Sequence, residues 1–135
     1  MLKPTVVHVV SLAFAVAIAF ALIEPVPPQL EKATHEIAFP IDKLVHFGLF
    51  LVAAFPWRRS LALLGVKSPG VAVVVTAAVY GGLLEIAQGL WTLRDPEILD
   101  MVAGAAGALA AVGLLRLTAA RQGTNRLNGD RHRFP

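Results

Sequence analysis

Seven residues in this chain have side chains suited to proton or ion chemistry and sit in or beside apolar sequence: Asp42, Lys43, His46, Glu85, Gln88, Arg94 and Asp100. Asp42, Lys43 and His46 open an apolar run that continues to Trp57. Glu85 and Gln88 stand near the end of a second run, Gly70–Leu90. Arg94 and Asp100 follow across a short polar turn. On a helix, Asp42 and His46 (i, i+4) share a face, as do Glu85 and Gln88 (i, i+3). A lone carboxylate at membrane depth costs on the order of a few kcal/mol, so such groups turn inward and find partners. Arg94 suits Asp100 or Glu85, because its planar fork takes a carboxylate through two hydrogen bonds. Asp100 also sits where a helix N-terminus favours negative charge.

This set admits three chemistries. In the first, the groups pair with one another and clamp the helices in register. In the second, Glu85 or Asp100 is a base, His46 an acid or an orienting group, and Arg94 holds a phosphate or carboxylate of a lipid-linked substrate. No nucleophile stands beside the set; Thr92 is the nearest hydroxyl. In the third, His46, Glu85, Asp100 and Asp42 ligate a divalent ion. A single histidine, with no second one at i+3 or i+4, is a thin basis for that, and neither a metal nor another cofactor is expected.

The elements that carry these residues follow from composition. Apolar residues make up 56% of the 135 and charged residues 16%, against about a quarter charged in soluble domains. Lipid as the outer solvent accounts for the missing polar surface. Without cysteine, disulfides and thiolate metal sites are excluded. Four apolar segments, about 5–23, 41–57, 70–90 and 98–115, predict an all-α, four-transmembrane-helix bundle. The first is longer than a signal-peptide core of about 7–15 residues and is read as a retained helix. Residues 118–135 are read as a basic, disordered tail. Its charges beside a membrane fit anionic headgroups better than nucleic acid.

Of the twelve Lys and Arg, nine lie on the side of the N-terminus, the 58–69 loop and the tail, and three on the other side. Eight of the nine acidic residues lie on the lysine- and arginine-poor side. Both termini are therefore expected in the cytoplasm. This topology brings all seven polar residues to the outer face. Asp100, Gly104, Gly107 and Ala111 form a small-residue stripe that permits close helix approach. With Gly81 and Gly82 as its smooth counterpart, it predicts a tight hairpin of the third and fourth helices, with the second against them. Trp57 and Trp91 are expected at the two interfaces, and His8 at the cytoplasmic one.

The stretches "DKLVHFGLF" (42–50), "YGGLLEIAQ" (80–88) and "RDPEILDMVAGAAG" (94–107), in this order, resemble the VanZ-like family of small membrane proteins. The resemblance covers roughly residues 40–115. It marks Asp42, Lys43, His46, Glu85, Gln88, Arg94 and Asp100 as motif positions. Where relatives commonly have Asn four residues after the last Asp, this chain has Gly104. The family takes its name from a protein linked to resistance to teicoplanin, which targets cell-wall precursors. The resemblance implies a bacterial inner-membrane protein with an envelope role rather than a defined reaction. Its expected partners are membrane lipids, a lipid-linked or cell-surface ligand, and further subunits in a homo- or hetero-oligomer. The alternatives are a membrane enzyme acting on such a lipid and a structural subunit of a membrane complex.

Reporter fusions test the charge asymmetry. A fusion at Ala33 reads as exported and one at the C-terminus as cytoplasmic; an exported C-terminus contradicts the topology.

Overall fold

The computed structural model describes residues 3–23, 41–91 and 97–131, with side chains described as far as Gln122. Four helices form the fold: α1 Pro4–Ile23, α2 Ile41–Leu63, α3 Pro69–Trp91 and α4 Ile98–Arg131. The protein is an all-α four-helix bundle. Three of its helices, α1, α3 and Ile98–Gln122 of α4, are long and apolar enough to cross a membrane. It is a helical membrane protein. Its outer surface carries Leu12, Phe20, Val79, Leu83, Leu90 and Leu109 more than half exposed, as expected of a lipid-facing surface.

Helix α2 differs from the other three. Asp42 and Lys43 at one end and Arg58 and Arg59 at the other leave only the fourteen residues Leu44–Trp57 free of acid and base apart from His46. That stretch is about 21 Å long at a rise of about 1.5 Å per residue. Yet α2 packs against each of the other three helices. It also runs past Trp57, where the sequence reading ends it, through Pro56 and on to Leu63. A proline costs a helix one N–H bond, but packing on neighbouring helices can carry the chain through.

The stop comes at Gly65, whose φ of 78° lies in the left-handed region open to glycine. There the N–H of Gly65 donates to the carbonyl of Ala62, and that of Val66 to the carbonyl of Leu61, both at 3.1 Å. This pair of bonds satisfies the last carbonyls of α2 as a Schellman motif. Pro69 then starts α3 at a position where its missing N–H costs nothing. The fourth helix continues to Arg131, so the disordered tail read from residue 118 is helical over most of its length. The local sequence "TAARQ" contains good helix formers and no proline.

Phe50, Ala53, Ala54, Val73, Ala77, Ala108 and Ala111 are fully buried in the core. Phe50, Trp57 and Tyr80 form a triad with ring centroids 5.6–6.2 Å apart. The polar ends of the latter two rings reach α1. Trp57 Nε1 donates to the carbonyl of Ser11 at 2.8 Å, and the Tyr80 hydroxyl to that of Ala15 at 2.5 Å. Trp57 is thus a buried anchor and not the interfacial ring expected from sequence, whereas Trp91 is 75% exposed. His8 Nδ1 lies 2.6 Å from Ser60 Oγ, a bond between α1 and α2 at the end of the bundle opposite Asp42.

The small-residue stripe meets a different helix from the one expected. A Cβ on Gly104 would stand 2.9 Å from the Phe50 ring. One on Gly107 would collide with the Phe47 carbonyl oxygen and stand 3.0 Å from the Leu51 nitrogen. The stripe therefore receives α2, and α2 with α4 is the most extensively packed pair. On α3, Gly82 is covered by Met101 of α4, and Gly81 by the Phe50 ring and Met101 together. Small residues permit close approach to any partner, and here the bulky ring of Phe50 takes the space.

Gly107→Ala therefore forces backbone apart. It is expected to destabilise the fold by at least the roughly 1–3 kcal/mol typical of overpacking, measured as unfolding in detergent. Gly113, with nothing near its would-be Cβ, is the control and tolerates alanine. Equal effects at the two sites contradict this packing.

Candidate functional site

One end of the bundle gathers the start of α2, the end of α3 and the start of α4. His46 (1% exposed), Asp100 (2%), Gln88 (4%) and Glu85 (6%) are its buried polar residues. Asp42 and Lys43 are half-buried above them. Six of the seven residues read from the sequence thus stand together. The seventh, Arg94, lies outside the described residues.

Lys43 is the cation that meets the carboxylates. Its Nζ lies 2.5 Å from Glu97 Oε2 and 3.2 Å from Asp100 Oδ1, joining α2 to the first turn of α4. The sequence reading offered Asp100 or Glu85 to Arg94 and assigned Lys43 no partner. Lys43 is one residue from Asp42 and three from His46, so its long side chain covers the same end of α2. Glu97 could have been suspected from its position just before α4, where a carboxylate is favoured.

Glu85 joins α3 to α4. Its Oε2 accepts the backbone N–H of Glu97 at 2.9 Å. That N–H precedes the helix and has no partner within it, so a side chain from α3 supplies one. The other oxygen, Oε1, faces His46 Nε2 at 3.4 Å. On the far side of the imidazole, Nδ1 lies 3.0 Å from the Asp42 carbonyl oxygen and 3.8 Å from Asp42 Oδ1. A carbonyl oxygen can only accept, so Nδ1 carries a hydrogen. Gln88 donates to the carbonyl of Leu22, tying the end of α1 to α3. That carbonyl belongs to the last turn of α1 and has no partner within the helix.

Two atoms of the cluster, His46 Nε2 and Glu85 Oε1, are buried without a hydrogen bond, and Asp100 Oδ1 has only its ion pair with Lys43. Beside the cluster, α3 and α4 leave an apolar groove of about 530 Å³. Ala78, Gly82, Leu83, Ile86 and Met101 line it, together with Glu85 and Glu97 beside the cluster. The groove was not legible in the sequence, because Gly82 read as a packing residue and Ala78 lies unmarked in an apolar run.

Searches against protein families, curated proteins and solved structures find no match to this chain.

Lys43→Met leaves Asp100 buried with its ion pair removed. Breaking a buried pair from one side typically costs about 3–5 kcal/mol; with Lys43 partly exposed, about 2 kcal/mol is expected. Equilibrium unfolding in detergent measures it. Asp100→Asn, which removes the charge itself, costs less; the reverse ranking contradicts the pairing.

Proposed function

We propose that this VanZ-like protein is a four-span protein of the bacterial inner membrane that binds an amphipathic, lipid-linked ligand at its outer face. The chain of the ligand lies in the groove between α3 and α4, and its headgroup lies against Lys43, Glu97 and Asp42. The observation that carries this reading is the groove itself. Its wall is almost wholly apolar, and Glu97, one of the residues that line it, carries the ion pair with Lys43 outside it. Its volume falls in the roughly 300–1,000 Å³ range of small-molecule sites.

A hydrocarbon chain gains little by leaving lipid for an apolar groove, since both surroundings are equally apolar. Selectivity then rests on the headgroup. The partly exposed carboxylates of Glu97 and Asp42 favour a headgroup rich in hydroxyl or amine donors, while Lys43 can meet one anionic oxygen. Helix α2 is the fourth span in this reading, because it packs against all three helices that can cross a membrane. The VanZ-like resemblance supports an envelope role for the same residues. The buried part of the cluster, His46 with Glu85, holds the helices; the exposed part, Glu97 with Lys43, meets the ligand.

Native mass spectrometry of the chain extracted in mild detergent tests this. The protein is expected to retain about one amphiphile, lost in Ala78→Phe, whose ring fills the groove. Equal lipid occupancy in the two proteins overturns the groove as the binding site.

A further inference from the structure

The buried half of the cluster carries a second assignment, independent of the amphiphile. We infer that His46 Nε2, with carboxylate donors drawn from Glu85, Asp100 and Asp42, forms a site for one divalent transition-metal ion of the zinc type.

The donor set is assembled from three helices. One ligand atom from each of Asp42, His46 and Asp100 lies within 4.8 Å of the others. Glu85 faces the imidazole from α3. The hydrogen on His46 Nδ1, pointed at the Asp42 carbonyl, leaves Nε2 with a lone pair. That lone pair is aimed at Glu85 Oε1 across 3.4 Å, and both atoms are buried without a hydrogen bond. Two buried acceptors facing each other repel unless a proton or a metal ion stands between them. The spacing suits an ion: donors each about 2.1 Å from a tetrahedral zinc stand about 3.4 Å apart. The bond from Nδ1–H to a backbone carbonyl is the outer contact that typically orients a metal-binding histidine. Asp100 Oδ1, whose neighbour is Lys43 Nζ at 3.2 Å, supplies another buried oxygen.

The charges agree. Among the described residues, Asp42, Glu85, Glu97 and Asp100 face one lysine, Lys43, and one histidine, His46. A dication reduces the surplus of negative charge. Lys43 is its competitor, since it lies 3.2 Å from Asp100. When an ion takes Asp100, Lys43 keeps Glu97, which is 54% exposed and lies outside the donor set. An imidazole nitrogen among oxygens favours zinc over magnesium or calcium, which prefer oxygen alone. The sequence counts against this reading for want of a second histidine at i+3 or i+4; the carboxylates that replace it come from other helices.

The test is titration of Zn²⁺ alone into the tag-free, chelator-stripped full chain in detergent micelles, with bound metal counted after equilibrium dialysis. One ion per chain is expected. His46→Gln weakens binding at least tenfold, and Lys43→Gln tightens it several-fold by removing the competitor. Circular dichroism checks that each variant is folded, and Asp42→Asn, at a half-buried position, stands in if His46→Gln is not. No saturable binding by the wild-type chain overturns the site, as does equal affinity in the folded variants. Ala78→Phe retains zinc, so a lost amphiphile with zinc retained counts against neither the ion site nor its ligands.

Discussion

Asp100 and Glu85 are carboxylates buried at the end of a bundle whose exterior is hydrocarbon-like, and they lie on two different helices. Neither α3 nor α4 supplies a cation or an imidazole among the described residues near them. Helix α2 supplies both: Lys43 for Asp100 and His46 for Glu85. This requirement sets the rotation of α2 about its axis and its height against the other helices. It also explains why α2, with charge at both ends and too little apolar length to rank with the three candidate spans, yet touches each of them.

Meeting the carboxylates requires close approach, and the backbone allows it. Gly107 lets α4 reach the Phe47–Leu51 backbone of α2, while Gly104 accommodates the Phe50 ring. At the far end, His8 and Ser60 join α1 to α2, and Trp57 and Tyr80 each donate to an α1 carbonyl. Side-chain donors thus reach buried acceptors in several layers, where each unmet polar group would be costly. At the cluster end the pairing is ionic instead: Lys43 meets Asp100, and His46 Nε2 faces Glu85 Oε1, where a proton or a bound ion completes the contact.

Much of this was legible in the residue order. The apolar lengths place four helices, and the depth of Asp42, His46, Glu85, Gln88 and Asp100 within them places one polar end. The pairing was harder to read. Lys43 belonged to the polar set with no partner assigned, and its long side chain reaches both Glu97 and Asp100. The end of α2 was misread because Pro56, Arg58 and Arg59 resemble a stop, whereas the decisive signal is Gly65, seven residues after Arg58. The stripe at Gly104 and Gly107 announces close approach without naming the partner; that choice depends on the fit of Phe50, which no spacing reveals.

The central claim is that α2 holds the other helices through its polar end, and the buried contact between His46 and Glu85 carries that claim across α2 and α3. A double-mutant cycle of His46→Ala and Glu85→Ala, read by reversible unfolding in detergent micelles, measures the contact directly. A coupling energy of about 1 kcal/mol or more is predicted for groups in direct contact. Losses that simply add, to within about 0.5 kcal/mol, would show that the two residues act independently and would contradict the account.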